Sequence, residues 1–350
     1  MRKWSRYFKW GYGIFVCAML LSGCSGEHST EERIAAGGGK EEAEEREEEK
    51  AKQQEEDSDS AVFMEEDIED TEDIEDAKVT EHTENENEDT AAEPEIVYAD
   101  WSAYFNGLNG TAVVYDASDR RYTIYKEELA VERRSPCSTF KIISSLTALE
   151  HGTLVPEDST RPWSGESFWN EDWNKDMDFG EAFRTSCVWY YRQLIDDIGK
   201  DRMQEELQRL SYGNCDISDW EGRLNTNNNN RALTGFWLES SLLISPKEQT
   251  EVLERIFGED SEYSEEIQKE LKQVMLVTEP EQDDTDLNIY GKTGMGKADG
   301  IVVDAWFTGF AESAEGKLYF CVRLGRTDGR EGSSSLAKEI AIRIVADYDR

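Results

Sequence analysis

The alternation of apolar and polar positions predicts strands at both ends of residues 96–350. Residues 110–116 (G-T-A-V-V-Y-D) and 121–125 (R-Y-T-I-Y) are rich in β-branched and aromatic side chains, and the short polar segment between them predicts a hairpin. Strand patterns return only after a long helical stretch, in residues 287–293, 305–311 and 317–324.

Helical periodicity dominates the middle of the chain, from residue 138 to about residue 257. A last amphipathic helix is predicted over about residues 335–348. The apolar faces of these strands and helices are buried when the two ends of a domain form a sheet and the helices between them pack together. We therefore predict an α+β fold (an α/β sandwich), in which a central antiparallel sheet formed by both ends of the domain joins a mainly helical lobe.

The first 24 residues have the pattern of a bacterial export signal. Basic residues precede an apolar core over residues 14–21, which is too short to span a bilayer. The L-S-G-C sequence that ends at Cys24 is typical of a lipobox, which predicts cleavage before Cys24 and lipidation of its sulfur. We expect an exported lipoprotein anchored to the extracytoplasmic face of a bacterial membrane. An ordinary secretory signal with an incidental cysteine is the alternative.

Residues 25–95 differ in composition from the rest of the chain. They contain 30 Asp or Glu, 6 Lys or Arg and a single aromatic residue, Phe63. Such a segment cannot bury enough apolar surface to offset its conformational entropy, so we predict a disordered acidic spacer. Residues 96–350 are predicted to form one catalytic domain. The net charge of the whole chain is −39, which argues against nucleic acid as a partner.

The use of histidine and cysteine narrows the possible chemistry. The chain has three histidines, and the one outside the spacer, His151, is predicted at the end of a helix. This argues against a Ser-His-Asp triad and against a metal site, so we predict no metal. Cys137 and Cys187 each flank a candidate catalytic serine. We predict that they are small buried hydrophobes, and a disulfide between them is the alternative in an exported protein.

Residues 135–141 (S-P-C-S-T-F-K) contain a serine and a lysine three positions apart at the start of a predicted helix. On a helix, Ser138 and Lys141 would share one face. A serine hydroxyl becomes a good nucleophile when an adjacent base removes its proton, and a buried, neutral lysine can be that base. We predict Ser138 as the nucleophile and Lys141 as its base. The alternative is a helix cap followed by a solvated lysine.

A second serine motif, S-C-V, lies at residues 186–188. We expect it at a helix N-terminus that faces the cleft. Ser186 would relay a proton between Lys141 and the departing group. Val188 would exclude water from Lys141 and so favour its neutral form. An isolated S-x-V triplet has no predictive value. Its position between the other motifs is what makes it informative.

Three further motifs follow. Y-G-N at residues 212–214 is predicted to be a turn that shapes the cleft. F-W-L-E-S at residues 236–240 contains Trp237, which either packs in the core or directs its indole N–H towards a buried anion. S-P-K-E at residues 245–248 is predicted to be a helix-capping box with only a structural role.

The last motif, K-T-G, is predicted at the end of a strand and precedes Met295. The Lys292 cation can hold a substrate carboxylate, Thr293 adds a hydroxyl donor, and Gly294 lets a ligand lie against the strand. The backbone N–H groups of Ser138 and Met295 are then candidates for an oxyanion hole.

In this order, S-x-x-K, S-x-V, Y-G-N, F-W-L-E-x-S and K-T-G closely resemble the motifs of the class D (oxacillinase-type) serine β-lactamases and of the related penicillin-sensor domains. S-C-V stands where the wider penicillin-recognising group has S-D-N, which is a class D feature. The resemblance extends from about Tyr104 to the C-terminal helix and agrees with the predicted fold. The sequence departs from the family pattern at Ser164, where aspartate is usual.

The resemblance implies a role for each matched residue. Ser138 would be acylated by a β-lactam, the small-molecule partner. Lys141 would be carbamylated by CO₂, giving N6-carboxylysine, and would act as the general base for acylation and deacylation. Val188 and Trp237 would shelter and hold the carbamate. No other cofactor is implied.

The resemblance also implies how the substrate carboxylate is held. Lys292 and Thr293 would bind it, and many relatives add an arginine on or after the last strand. Arg323, Arg326 and Arg330 compete for that place, and Arg330 is the candidate that we adopt.

Three functions remain open within this family. The first is hydrolysis of β-lactam antibiotics by a lipoprotein β-lactamase, and it is the function that we favour. The second is a penicillin sensor, which is acylated without turnover; such sensors belong to multi-helix membrane proteins, and no membrane span is predicted after the signal. The third is a cell-wall D,D-transpeptidase, against which the S-x-V motif and the short single domain argue.

Overall fold

The computed structural model describes residues 93–224, 229–277, 287–330 and 332–348. The predicted export signal with Cys24, and nearly all of the predicted spacer, lie outside the described residues, so they stay predictions. The first described strand begins at Glu95, next to the predicted start of the domain. Within the described ranges, no helix is both long enough and apolar enough to cross a membrane.

A six-stranded sheet organises the domain, with the strand order β1-β3-β2-β6-β5-β4. Its strands are β1 Glu95–Tyr98, β2 Gly110–Asp116, β3 Arg121–Tyr125, β4 Asn288–Ala298, β5 Ile301–Ser313 and β6 Gly316–Gly325. Neighbouring strands are antiparallel except β1 and β3, which run parallel. The predicted α+β fold is confirmed, and the short parallel strand at one edge corrects the purely antiparallel sheet that we expected.

The sheet joins the two ends of the domain because β2 pairs with β6, with Gly110 opposite Leu324. All residues of β2 are buried, as expected for a strand that is covered on both faces. Successive side chains of a strand point to opposite faces. Val113 therefore packs in one apolar cluster and Val114 in the other.

Helices cover both faces of the sheet and form a separate lobe. The α-helices among the described residues are α1 Ser102–Phe105, α2 Glu127–Ala130, α3 Lys141–Glu150, α4 Phe179–Arg184, α5 Val188–Ile198, α6 Lys200–Arg209, α7 Pro246–Phe257, α8 Glu265–Met275 and α9 Ser334–Ala346. Helix α9 packs on β4, β5 and β6, and α7 packs on β2, β5 and β6. Ile344 of α9 and Phe257 of α7 belong to different apolar clusters, so these helices lie on opposite faces.

Helix α3 runs through the helical lobe and carries the S-x-x-K lysine at its start. Its residues from Lys141 to Ala148 are all buried, and it packs against α5, α6 and α8. A helix that is enclosed on almost every side is held firmly in place. It ends at Glu150, and His151 occupies the C-cap position, at the end of the helix as predicted.

Helix α7 begins with the predicted capping box. The Ser245 hydroxyl accepts a hydrogen bond from the Glu248 backbone N–H at 3.2 Å, and the Glu248 carboxylate accepts one from the Ser245 N–H at 2.8 Å. Pro246 occupies the first helical position. A backbone N–H there would have no partner within the helix, so its absence in proline removes no helical hydrogen bond. The capping box is thus confirmed.

Candidate active site

Ser138 lies in a 3-10 turn, Cys137–Phe140, that leads into α3. The prediction that Ser138 itself opens the α-helix is therefore wrong by one turn, because α3 begins at Lys141. In a 3-10 turn, side chains three positions apart are eclipsed. The Lys141 Nζ consequently reaches the Ser138 Oγ and donates a hydrogen bond to it at 3.1 Å.

Lys141 is almost fully enclosed, with 1% of its surface exposed. Burial lowers the pKa of Lys141 to about 8, because the ammonium group loses its hydration. Its Nζ lies 5.0 Å from the centre of the Tyr191 ring. Near pH 8, about half of these amines are neutral and able to accept a proton. The alternative of a solvated lysine is excluded by this burial.

Lys292 connects strand β4 to the second serine motif. Its Nζ donates hydrogen bonds to the Ser186 Oγ at 3.1 Å and to the Thr293 carbonyl at 3.0 Å. Lys292 is 4% exposed. Burial lowers the pKa of Lys292 well below its usual value, and the charge of Lys141 lowers it further. The structure thus brings both predicted serines and both predicted lysines together.

The S-C-V motif lies at the N-terminus of α5, as expected, with Ser186 immediately before the N-cap residue. Ser186 lies in a left-handed conformation with a φ of 59°, and α5 begins two residues later at Val188, with Cys187 as its N-cap. Two hydrogen bonds hold this corner: the Ser186 N–H donates to the Phe183 carbonyl and the Cys187 N–H to the Ala182 carbonyl. The corner directs the Ser186 hydroxyl to Lys292.

A cavity of about 480 Å³ opens beside Ser138. It is lined by Ser138, Trp169, Asn170, Trp173, Thr185, Ser186, Val188, Leu233, Leu238, Glu239, Thr293, Gly294, Met295, Lys297, Gly300 and Ser334. Residues from four of the predicted motifs, S-x-x-K, S-x-V, F-W-L-E-S and K-T-G, meet in this lining. A largely apolar cavity of this size with a few converging polar groups suits a small molecule.

The cavity also contains residues that the sequence did not mark. Trp169 is 77% exposed, and its ring centre lies 5.0 Å from that of Trp173. The two indoles form one wall of the cavity. Glu239 and Lys297 contribute to another wall. The F-W-L-E-S motif was a usable signal for Glu239, whereas no pattern in the sequence singled out Trp169.

Trp237 packs in the core, which is one of the two alternatives predicted for it. It is 1% exposed, and its ring stacks on that of Phe140 with centres 6.1 Å apart. Its backbone carbonyl accepts hydrogen bonds from the Ser135 hydroxyl at 2.9 Å and from the Cys137 N–H at 3.0 Å. The expected support of a carbamate on Lys141 by Trp237 stays a prediction.

Strand β4 lies directly against the turn that carries Ser138. An ideal Cβ on Gly294 would lie 3.0 Å from the Pro136 carbonyl oxygen and 3.0 Å from the Thr139 methyl carbon. Any side chain at this position would press on the turn. Met295 and Ser138 line the same cavity, and an oxyanion hole made by their N–H groups stays a prediction.

The Y-G-N motif forms a turn, as predicted. The Asn214 side chain donates a hydrogen bond to the Ser241 carbonyl at 2.8 Å and accepts one from the Leu243 N–H at 2.9 Å. Gly213 has a φ of 55°, and a Cβ there would lie 2.0 Å from the Leu243 carbonyl oxygen. The turn therefore fixes the segment that follows the F-W-L-E-S motif.

Arg323 cannot serve as the carboxylate-binding arginine. It is 4% exposed and forms ion pairs with Asp304, at 2.9 Å, and with Glu132. Its charge is therefore already compensated inside the domain. The sequence alone does not predict this ion pair, because Asp304 comes from the neighbouring strand β5.

Arg330 and Arg326 also lie outside the lining of the cavity. The Arg330 guanidinium donates a hydrogen bond to the Asn106 carbonyl. Arg326 is mostly exposed, and its guanidinium lies 4.0 Å from the Asp328 carboxylate. The structure therefore does not bring Arg330 into the cavity where the resemblance would place it.

The four described cysteines are free thiols. Cys137 and Cys187 are both fully buried, so the structure has the buried hydrophobes and not the disulfide. Burial raises the pKa of Cys137 to about 12 and that of Cys187 to about 11, so both thiols stay protonated. In the described ranges, no three His, Cys, Asp or Glu side chains are grouped to hold a metal ion. The expected absence of a metal stays a prediction.

Comparison with known proteins agrees with this geometry. Residues 109–346 match the family model for the penicillin binding protein transpeptidase domain. The chain is 33% identical to the probable β-lactamase YbxI of Bacillus subtilis over 245 residues, which are 70% of this chain and 82% of that protein. It is 30% identical to the regulatory protein BlaR1 of Bacillus licheniformis over 252 residues, which are 71% of this chain but 39% of BlaR1. The chain thus spans less than half of the length of BlaR1.

Two solved structures show the same fold. The C-terminal domain of the Bacillus licheniformis BlaR penicillin-receptor has a TM-score of 0.62 and 29% identity, over 72% of this chain and 96% of that domain. A class D β-lactamase from Bacillus subtilis has a TM-score of 0.60 and 32% identity, over 71% of this chain and 94% of that structure. The ordered motifs, the sheet and these matches agree, and the chain belongs to the penicillin-binding protein transpeptidase domain family, with class D β-lactamases and BlaR penicillin receptors among its relatives.

Proposed function

We propose that this protein hydrolyses β-lactam antibiotics through an acyl-enzyme on Ser138. The observation that carries the proposal is the 3.1 Å hydrogen bond between the Lys141 Nζ and the Ser138 Oγ, made by a buried lysine whose pKa is lowered to about 8. An exposed lysine would remain charged and could not take the hydroxyl proton. Similarity to the probable β-lactamase YbxI and to class D structures supports the choice of substrate.

In the acylation step, Lys141 takes the proton of the Ser138 hydroxyl while the Ser138 Oγ bonds to the lactam carbonyl carbon. The lactam C–N bond then breaks. The Ser186 hydroxyl relays the proton from Lys141, so that the proton removed from Ser138 ends on the leaving nitrogen. Lys292 orients the Ser186 Oγ through its 3.1 Å hydrogen bond.

In the deacylation step, a water molecule must be activated to release the acyl group from Ser138. The surroundings of Lys141 fit a carbamate on its Nζ, because burial lowers the pKa of Lys141 to about 8 and a neutral amine can react with CO₂. Such a carbamate would supply an oxygen base for the water, and in a carbamylated chain it would also take the place of the amine as the base for acylation. Val188 lines the cavity beside this site, and its apolar side chain would limit the access of bulk water.

The substrate carboxylate is proposed to lie at the end of strand β4. Thr293 and Gly294 line the cavity there. Lys292 does not itself line the cavity, but its Nζ donates hydrogen bonds to the Thr293 carbonyl and to the Ser186 Oγ, beside residues that do. A substrate carboxylate nearby would favour the charged form of Lys292, which burial disfavours in the free protein.

We also propose that the protein is an exported lipoprotein, held by a lipid on Cys24 at the extracytoplasmic face of a bacterial membrane. The proposal rests on the basic leader, the short apolar core and the L-S-G-C sequence. Fatty-acid labelling of the wild-type chain and its loss in Cys24→Ala would support it. Equal labelling of the two proteins would contradict it.

A penicillin sensor that is acylated without turnover is the second candidate function. Similarity to the BlaR penicillin-receptor domain, 96% of which is covered with a TM-score of 0.62, favours this alternative specifically. Both functions require acylation of Ser138, so the active-site geometry is common to them. They differ in the rate at which water releases the acyl group.

The deciding experiment measures turnover of a chromogenic cephalosporin by the full chain, with and without bicarbonate, together with its intact mass. Many turnovers per protein, increasing with bicarbonate, are expected of a β-lactamase with a carbamylated Lys141. One turnover followed by a stable adduct would indicate a sensor or a transpeptidase. Absence of both turnover and an adduct on the wild-type chain would exclude Ser138 as the nucleophile, and Ser138→Ala provides the inactive reference.

A further inference from the structure

A series of hydrogen bonds links the turn that carries Ser138 to strand β4, and it uses residues to which the chemistry above gives no role. The series begins at Ser135, which is 8% exposed. Its hydroxyl donates a hydrogen bond to the Trp237 carbonyl at 2.9 Å and accepts one from the Glu239 N–H at 2.9 Å. A single hydroxyl three residues before Ser138 therefore holds both ends of the W-L-E segment.

Glu239 continues the series to β4. Its carboxylate accepts a hydrogen bond from the Lys297 backbone N–H at 2.6 Å. The pairing of β4 with β5 shifts by one residue between Gly296 and Lys297, so the carboxylate binds where the regular ladder is interrupted. Glu239 also has a φ of 53°. A non-glycine residue keeps this left-handed conformation only where its surroundings enforce it.

The packing around this series leaves little room for movement. An ideal Cβ on Gly296 would lie 3.1 Å from the Cys137 Sγ and 3.8 Å from the Glu239 Oε1. The Cys137 N–H donates to the Trp237 carbonyl at 3.0 Å. The turn, the W-L-E segment and the strand are therefore in direct contact, and a change in one displaces the others.

We propose that Ser135 and Glu239 are positioning residues, which set the separation between the Ser138 turn and strand β4 at Met295. The inference rests on the proposed function, because this separation matters when a substrate carbonyl oxygen is held between the two backbones. The Glu239 carboxylate receives the Lys297 N–H and therefore acts through the strand, not on the reacting atoms.

The effect of losing this link should be large for a contact outside the chemistry. Oxyanion donors act over a narrow range of about 2.7–3.1 Å from the developing charge. A misplacement of about 1 Å at a reacting centre reduces a rate by about 100-fold. The link should therefore control the rate of acylation more than the binding of the intact substrate.

The test compares Glu239→Asp with Glu239→Gln in the full chain. Aspartate keeps the charge but is one methylene too short to reach the Lys297 N–H, whereas glutamine keeps the length and an acceptor oxygen but loses the charge. We expect Glu239→Asp to lower the acylation rate constant about 10- to 100-fold with the non-covalent dissociation constant unchanged. Glu239→Gln should stay within about fivefold of the wild type. Stopped-flow kinetics with a chromogenic cephalosporin measures both constants.

Three further variants serve as a second test and as controls. Ser135→Ala removes both hydroxyl bonds and should show the same selective loss of acylation rate, whereas Ser135→Thr should restore most of it. Asp299→Asn removes a charge from the β4–β5 turn without touching the series, and it should leave the rate unchanged. The midpoint of the pH–rate profile should be the same in all variants, because none of these residues moves the proton.

The outcomes separate the inference from the proposed function. Acylation of Glu239→Asp and Ser135→Ala at the wild-type rate overturns the inference. An equal loss of acylation rate in Glu239→Gln and Glu239→Asp also overturns the inference. The rate would then depend on the charge at position 239 and not on the length of the side chain. If the wild-type chain neither turns over the cephalosporin nor forms an adduct on Ser138, the proposed function itself fails, and this inference fails with it.

Discussion

At Lys141, the free-energy cost of burying a charged ammonium group favours the neutral amine, which is the form that the proposed base requires. The ammonium form is destabilised because 1% of the side chain remains exposed, and the pKa falls from 10.5 to about 8. The 3-10 turn then places the neutral nitrogen against the Ser138 Oγ at 3.1 Å. Reactivity at this residue therefore comes from the packing of α3 and not from a charged partner.

The rate of Ser138 acylation should increase with pH, because only the neutral form of Lys141 accepts the proton. In bicarbonate-free buffer we expect a rise between about pH 6 and pH 9, with a midpoint near the Lys141 pKa of about 8. Stopped-flow acylation measures this profile. Lys141→Arg stays charged throughout and should be inactive at every pH. A wild-type rate that is flat over this range would contradict the assignment.

Replacing Lys141 with methionine should stabilise the folded domain at neutral pH. The folded-state pKa of about 8 lies below the unfolded value of 10.5, so the unfolded chain binds more protons between them, and stability rises with pH across this window. Below about pH 8 the buried lysine is a net cost, and Lys141→Met should raise the free energy of unfolding by about 1–3 kcal/mol at pH 7.

Urea unfolding at pH 7 and at about pH 10.5 tests this expectation, because the gain should shrink as both states lose the proton. The exposed Lys269 on α8 provides the control, since Lys269→Met makes the same replacement where the side chain is not buried and should not raise the free energy of unfolding. A lower free energy of unfolding for Lys141→Met at pH 7 would contradict this expectation. It would show that the contacts of the lysine stabilise the fold by more than its buried charge destabilises it.

Single residues were predictable from the sequence where their partners are near in the chain. The spacing of Ser138 and Lys141 predicts their contact because one turn carries both. The burial and ion pairing of Arg323 were not predictable, since its partner Asp304 belongs to another strand. Trp169 was missed for a related reason: its place in the cavity depends on how a loop without periodicity packs against Trp173.

At the scale of elements, the predicted and observed strands agree best where the side-chain pattern is local. Residues 110–116 and 121–125 were predicted with the bounds that β2 and β3 have. Strand β1 was missed because it has four exposed residues and no alternation. Strand β4 extends to Ala298, beyond its predicted end, because pairing with β5 holds glycine-rich residues that lack strand propensity of their own.

Gly294→Ala should displace β4 from the turn that carries Ser138 and lower the acylation rate. The added methyl would lie 3.0 Å from the Pro136 carbonyl oxygen, a backbone atom that cannot rotate away. We expect a loss of about 10- to 100-fold in the acylation rate constant, measured with the chromogenic cephalosporin.

Gly180→Ala in α4 is the matched control for this substitution. Its added methyl would have an ordinary contact of 3.6 Å with the Asp178 carboxylate. We expect unchanged acylation and a gain of up to about 1 kcal/mol in the free energy of unfolding, because alanine favours a helix more than glycine does. Wild-type acylation by Gly294→Ala would mean that the strand can move without consequence.

At the scale of the whole molecule, charge governs the encounter with an anionic substrate. The chain has a net charge of −39, and a penicillin carries a carboxylate, so repulsion should slow their association. Raising the salt concentration from about 0.05 M to 0.5 M screens this repulsion and should increase kcat/KM about two- to tenfold.

Steady-state kinetics at several salt concentrations measures this effect. The control is a chain that begins at residue 93, which lacks most of the acidic residues of the spacer. Its salt dependence should be weaker if the spacer contributes to the repulsion. A kcat/KM that falls with salt would instead mean that local attraction by Lys292 dominates the encounter.

The pairing of β2 with β6, which places Gly110 opposite Leu324, has a consequence for biosynthesis. A ribosome completes the Ser138 turn long before it makes either β4 or β6. Contacts between residues so far apart in the chain form slowly, because the intervening chain must first be ordered. A growing polypeptide therefore carries its nucleophile well before it has an active site, and no fragment that stops short of β6 should react with a β-lactam.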